Sequence, residues 1–395
     1  MVVDIIGPCA ALCRVLSVPG GDGAVLLVVK QTVHLMGGRL VPKPGGEQIP
    51  VFTEDREVDG RICGADFSLP KQGADLVVIG DVLAPAGRPV TELEVNISWG
   101  RFRRRLLIFG NRYWRTRDPA GDRLDESPLS PKALEAFLEE VDVGPEDDKT
   151  QVFSSASFRV PRPSSASAAQ DASDRSHEVQ KRDRDHYMSE PIPFVRMPLT
   201  WGRSFGGTAD YGMVFGDNPQ GRGYIVPPFQ KGVLPRVAGV RLPNVEAPDR
   251  RIRRWTDRPS PAGCAFYPRN WGLRLRRGLS LEGGTPMSPP RMTARLYNQS
   301  HPDFELDGFP DGQTLTITHM SAPDPVFSAA VDRPRLSALI KTEKRPLREI
   351  SLVWDLLCVR PETQDGYIVG RALFGFNPAV MAGARVQVVQ KEDQS

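Results

Sequence analysis

The residues best equipped for chemistry lie in the middle of the chain. Seven glycines fall between Trp201 and Gly223. The runs Gly202-Arg203-Ser204-Phe205-Gly206-Gly207-Thr208 and Asn218-Pro219-Gln220-Gly221-Arg222-Gly223 have the composition of a phosphate cradle. A P-loop ends in Gly-Lys-Ser/Thr, and a dinucleotide fingerprint needs a strand before it and a helix after it. Neither context is present, so these glycines read as turns that need positive φ. Residues 236–277 carry eleven Arg against three acids, interleaved with Trp255, Tyr267 and Trp271. Single-strand nucleic-acid binders use that mixture, and so do protein interfaces. A self-paired surface is the third reading.

Sets for catalysis are sparse. The five histidines are His34, His177, His186, His301 and His319, and no HExxH or Gly-x-Ser-x-Gly pattern occurs. Asp303 and Glu305 stand near His301, where a polar turn after Pro302 is the simpler account. Asp210, Asp217 and Glu246 are scattered carboxylates on which a hydrolase would have to draw. Cys9, Cys13, Cys63, Cys264 and Cys358 form an odd, dispersed set without CxxC. They fit neither a disulfide framework nor a zinc site. The expectation is a non-enzymatic, reduced, cytoplasmic protein with no catalytic residue, cofactor or metal ligand. The sequons at Asn96 and Asn298 carry no weight without a secretion signal. No leader or apolar run long enough for a membrane span is evident, so neither a membrane nor, at a net charge of +3, a nucleic acid is expected as partner.

The elements that would position these residues are strands. Leu93, Val95, Ile97 and Trp99 alternate with Glu92, Glu94, Asn96 and Ser98, and Gly100 then allows a turn into a return strand, Arg103 to Phe109. Ala24–Val29 and Leu76–Ile79 are short buried-type runs. Thr314–Thr318 alternates. Ile350, Leu352, Trp354 and Leu356 read as one further alternating strand, with Tyr367–Phe374 as its partner. Ser130-Pro131 followed by Leu134, Phe137, Leu138 and Val141 predicts a short amphipathic helix at about 131–141. Roughly 160–190 is rich in Ser, Ala and mixed charge and reads as a disordered linker.

Glycine and proline contribute 37 residues each in 395, about a fifth of the chain against roughly 12% in an average one. That argues against a helical bundle. The fold class expected is mainly β (β-rich α+β): short antiparallel strands, long Gly/Pro-rich ordered loops and one or two short helices. Residues 1–118 form an N-terminal β region, 119–190 an insert, and 191–395 a loop-rich β region packed with the first as one unit.

Several segments, in fixed order, resemble a bacterial family encoded beside VgrG and PAAR genes in type VI secretion clusters. They are Ala24–Leu35, Ala65–Gly80 with its frame of Asp66, Lys71 and Asp75, Leu107–Trp114, Pro193–Gly207, Asn218–Tyr224, Leu242–Pro248, Pro261–Arg274 and Leu296–Asp303. Segment 119–190 is longer than the family pattern, Leu281–Arg291 matches it poorly, and Gly370-Arg371-Ala372 departs from it. The resemblance implies an adaptor chaperone. It would bind and stabilise an effector, through an N-terminal or PAAR-linked region, and help load it onto the VgrG/PAAR spike. The alternatives are a carbohydrate- or surface-binding β module, or a hydrolase.

The matched motifs read as loop-organising or partner-binding. Leu242, Pro243, Asn244 and Glu246 would form a turn whose side chains bond nearby N–H groups. Arg203 and Arg222 would bracket the Glu246 carboxylate. Trp201, Phe205 and Trp271 would pack between the loops. Gly206, Gly207, Asn218, Pro219, Gly221, Gly223, Pro261 and Gly263 would shape the backbone.

Overall fold

Apolar alternation in the sequence becomes half-buried strand in the structure. The computed structural model describes residues 2–16, 23–58, 61–116, 186–206, 215–225, 237, 239–269, 271–280, 291–342, 347–376 and 384–390. The first part of the chain supplies β1 (Val2–Ile6), β2 (Ala10–Leu16), β3 (Gly23–Met36), β4 (Arg39–Pro42), β5 (Ala74–Val78), β6 (Glu92–Trp99) and β7 (Phe102–Phe109). The second part supplies β8 (Val245–Glu246), β9 (Glu305–Leu306), β10 (Gln313–Thr318), β11 (Val326–Val331) and β12 (Leu336–Lys341). The last are β13 (Arg348–Ile350), β14 (Val353–Arg360), β15 (Asp365–Phe376) and β16 (Arg385–Gln390). One helix, α1 (Gly272–Gly278), is described.

The fold is mainly β. A twelve-stranded sheet runs β8-β7-β6-β10-β11-β4-β3-β15-β14-β5-β9, with β2 also on β3, and a four-stranded sheet runs β1-β16-β12-β13. The β6–β7 hairpin pairs Trp99 with Phe102, and Gly100 takes φ +58° at its turn. Val95, Ile97 and Trp99 are buried as their period predicts. Not all pairing is antiparallel: β1–β16, β11–β4 and β14–β5 are parallel, because strands from both ends of the chain interleave in each sheet.

Two sequence expectations change. Ile350 and Trp354 do not share a strand. β13 ends at Ile350 and β14 begins at Val353, with a register shift between Trp354 and Leu356. Trp354 to Val359 are all buried, so β14 is covered on both faces and has no wet side to alternate with. His186–Met188, inside the segment read as a linker, is a strand paired with Trp114–Thr116. The helix expected at 131–141 lies outside the described residues.

Leu27, Val29, Leu357, Val359 and Ile368 share one core with Ala338, Ile340, Val386 and Val388 of the small sheet. The opposite face, with Leu26, Val28, Val77, Leu356 and Val369, is covered by Phe52, Cys63 and Phe266. Six charged groups lie in this second interface, all but removed from water: Lys30, Asp66, Lys71, Asp75, Asp355 and Arg371. Lys30 Nζ donates to Asp66 Oδ2 at 2.8 Å and stands 3.8 and 3.9 Å from the ring centres of Phe52 and Tyr367. Arg371 pairs with Asp355 and donates twice to the Asp66 carbonyl, at 3.1 and 2.7 Å. Asp355 Oδ2 accepts the Lys71 amide at 3.2 Å, and Lys71 Nζ meets Asp75 at 2.5 Å. Asp75 then accepts from Asn298 Nδ2, the Gln299 amide and Ser300 Oγ at 3.0, 2.6 and 2.8 Å. Burial pushes the Asp75 carboxyl up, but Lys71 and these hydrogen bonds outweigh it and hold it below the ordinary carboxylate range.

Replacing Lys71 by Met leaves Asp75 buried and uncompensated. The expected cost is about 3–5 kcal/mol, against about 0.5 kcal/mol or less for Lys341→Met at an exposed strand end. Urea unfolding of the two variants checks this.

Candidate functional site

The sequence-matched loops assemble around the end of β7. The Asn244 carbonyl accepts the Phe109 amide at 2.8 Å, and the Asn244 amide donates to the Arg203 carbonyl at 2.7 Å. Arg222 donates its amide to Ser204 at 2.7 Å, and Gly206 donates back to Arg222 at 3.0 Å. Four segments, 109–112, 201–206, 218–224 and 242–247, are thereby laced together without forming a regular sheet. The Asn244 side chain donates to the Phe109 carbonyl at 3.0 Å and to Asn111 Oδ1 at 3.1 Å. Asn218, with no exposed surface, donates to the carbonyls of Trp201 and Phe205 at 2.8 and 3.0 Å. Ser204 Oγ accepts the Ala262 amide at 2.7 Å, which brings in Pro261 and Gly263.

Glycine is required where these loops touch. A Cβ on Gly206 would stand 2.1 Å from the Asn218 carbonyl oxygen, and one on Gly221 would stand 2.7 Å from Gly206 Cα. Gly223 adopts φ +125° against the Phe205 ring. Gly207 lies outside the described residues. Pro219 sits in the turn closed by the Gly221 amide on the Asn218 carbonyl at 3.2 Å.

The carboxylate of Glu246 is bracketed, but by a different arginine from the two expected. Arg112 Nη2 donates to Glu246 Oε1 at 2.6 Å and to the Pro243 carbonyl at 2.8 Å, while Oε2 accepts the Ile252 amide at 3.2 Å. Arg222 reaches Asn244 Oδ1 instead, at 3.2 Å. Arg112 stands in the Leu107–Trp114 motif, immediately beyond β7. Its strand places it under the turn, a relation that sequence distance conceals.

The aromatic residues divide into two groups. Phe205 and Leu242 pack with Trp114, Tyr224, Ile252 and Trp255. Trp201 and Trp271 pack edge-on with Tyr267, whose hydroxyl donates to the Asp217 carbonyl. His301 lies against Trp201 and Tyr267, at 5.7 and 5.4 Å between ring centres. Its Nδ1 accepts the Asp303 amide at 3.2 Å, and burial pulls its pKa down to about 4. Sequence reading took the His301 segment as a polar turn. It is a 3-10 turn at Pro302–Phe304, capped by the histidine ring.

Part of the arginine-rich stretch makes internal contacts, while Arg251, Arg253, Arg254 and Arg276 are exposed. Arg250 pairs with Asp303, Arg276 with Asp217 at 2.6 Å, and Arg277 with Glu305 at 2.9 Å. Arg274, buried, donates to the carbonyls of Leu296 and Tyr267. Three of these arginines lie on α1. Asp217 and Glu246 are therefore each held by their own arginine; Asp210 lies outside the described residues. Among the described residues no three His, Cys, Asp or Glu side chains are placed to hold a metal. The five cysteines form no disulfide, and no described helix is long and apolar enough to cross a membrane.

A cavity of about 590 Å³ opens between the two sheets. Leu40, Leu336, Trp354 and Ile368 are among its lining residues, as are the exposed pairs Arg39–Asp332 and Arg333–Asp311.

A family model described as an uncharacterized protein conserved in bacteria (DUF2169) matches residues 21–135 and 140–371. Comparison with curated proteins and with solved structures gives no match.

Two outcomes follow from this geometry. Arg112→Met should destabilise the protein by about 2 kcal/mol more than Arg222→Met, read by chemical unfolding. His301 is neutral when folded and takes up a proton more easily when unfolded, so its contribution is full above about pH 6.5 and is lost as pH falls towards 4. Glu305, pushed up to about 7 by burial, acts in the opposite sense, losing stability as pH rises through the same window. In a Glu305→Gln background, His301→Gln should therefore flatten the fall in melting temperature between pH 6.5 and 4.

Proposed function

The chain belongs to this family conserved in bacteria, and from that premise we propose that it is a non-enzymatic adaptor. It binds and stabilises a type VI secretion effector and helps load it onto the VgrG/PAAR spike. The ordered series of motifs that resembles such adaptors supports the reading. So does the use made of the motif side chains: Arg112, Asn218, Asn244 and Glu246 act as internal braces that fix loop shape.

The observation that carries the proposal is where the exposed aliphatic side chains fall. Ile5 and Ile6 lie on β1, Val15 on β2, Val326 at the start of β11, Leu347 beside β13, Val353 at the start of β14 and Leu373 on β15, while Val195 and Leu275 lie elsewhere. Apolar side chains on strand ends and margins are the surface from which a β-rich receptor takes a further strand or apolar segment. A sugar-binding module is less well supported. It stacks ligand on exposed aromatic faces, and Trp99, Trp114, Trp201, Trp255, Trp271 and Trp354 are all buried. Effector and spike proteins carry apolar surface that must be covered before assembly, and moderate affinity at such margins allows passive release when the spike forms.

Co-expression with the products of the genes flanking its own is the test. One flanking product should be insoluble alone and soluble, co-purifying, with this protein. If every flanking product stays unbound, the adaptor reading is wrong.

A further inference from the structure

We propose that the outer edge of β1 is the strand on which the cargo docks, and that the docking segment is an extended stretch of another protein with a basic residue between two apolar ones. This rests on the adaptor reading and gives it a location.

Among the described residues, several sheet margins are guarded by short strands or by charge, and β2, seven residues paired only with β3, carries the exposed Arg14 beside Val15. The large sheet ends at β8 and β9, two residues each. Where β7 extends beyond β8 it carries Arg103, Arg104 and Arg105, all exposed. β13 is three residues long, with Arg348 and Glu349 exposed. Short length and charge are the usual means of preventing unwanted pairing. β1 has neither. It spans five residues, Val-Val-Asp-Ile-Ile, pairs only with β16, and leaves Ile5 43% and Ile6 57% exposed.

The cross-strand register says what would fit. Ile5 stands opposite Val388, which faces Ala338, which faces Ile350. Val3 stands opposite Val386, which faces Ile340. Both rows belong to the core face of the small sheet, and both reach the margin at β1. A fifth strand with apolar residues opposite Val3 and Ile5 would continue them. Asp4 points to the other face, with only a loose contact to Arg385 at 3.9 Å, both groups well exposed. A lysine or arginine opposite Asp4 would complete that pair.

The same carboxylate argues against a second copy of this chain. Antiparallel self-pairing that uses all five residues places Asp4 directly opposite Asp4, and like charges so placed repel.

The test uses the full chain and two synthetic peptides, one with an alternating valine–lysine–valine core and one with aspartate in place of the lysine. Hydrogen exchange should show new protection of amides 2–6, and not of 102–106, with the lysine peptide and with any captured flanking-gene product. The aspartate peptide should bind on the order of tenfold more weakly. Ile5→Lys and Asp4→Lys should each reduce capture by a similar factor while the melting temperature stays near that of the parent. The exchange measurement on the unaltered chain decides the matter if a variant fails to fold. Capture of a flanking product without protection of 2–6 overturns the β1 assignment and leaves the adaptor reading standing. Equal binding of the two peptides, or a dimer abolished by Ile5→Lys, overturns the proposed partner chemistry. Failure to capture any flanking product removes both.

Discussion

Three cations and three anions held out of water inside one interface are the constraint around which the rest of this protein is arranged. Removing a charged group from water is costly unless partners replace its hydration. Here they do so in sequence, from Lys30 through Asp66, Arg371, Asp355 and Lys71 to Asp75. The chain of contacts joins β3, β5, β14, β15, the 52–71 segment and the turn at 298–300. A one-residue slip of any of those strands would carry a charge to the opposite, apolar face. Whatever its net contribution to stability, the network therefore specifies register.

The second feature of the design is that the motif side chains are used for internal bracing, while Arg103, Arg104, Arg105, Arg251 and Arg253 face outward. Arginines 250, 276 and 277 each meet a carboxylate, Arg112 ties β7 to the turn carrying Glu246, and Asn218 and Asn244 act as fixed spacers between backbone carbonyls. Loops braced in this way keep one shape at little entropic cost when a partner arrives. The aliphatic margins of the sheets remain as available apolar surface.

What could be read from the sequence was decided by whether a residue's partner is local. The β6–β7 hairpin was legible because each side chain repeats the environment of the residue two before it. β14 was not: with both faces covered, its alternation is lost, and Asp355 in the middle of a buried run has no meaning until Arg371 is placed beside it. The bracket around Glu246 was foreseen in kind and misassigned in identity, since Arg112 lies 134 residues away along the chain. α1 went unnoticed because glycines stand at both its ends and three arginines occupy its middle, a pattern suggesting solvent rather than the internal carbonyls and carboxylates it meets. The aromatic motif residues were correctly expected to pack between loops, but into two groups rather than one.

The ladder between β3 and β15 joins residues 23–34 to residues 365–376, and β1 pairs with β16 at residues 385–389. On a ribosome, β1 therefore has no partner, and β3 lacks one of its neighbours, until residues 365–390 have emerged. Contacts this distant along the chain slow folding, and the waiting apolar strands are open to aggregation. Synthesis of this protein thus imposes on the nascent chain a need for protection resembling the one it is proposed to relieve in its cargo. Loss of β16 would leave the small sheet unable to form, because β1 and β12 meet only through it.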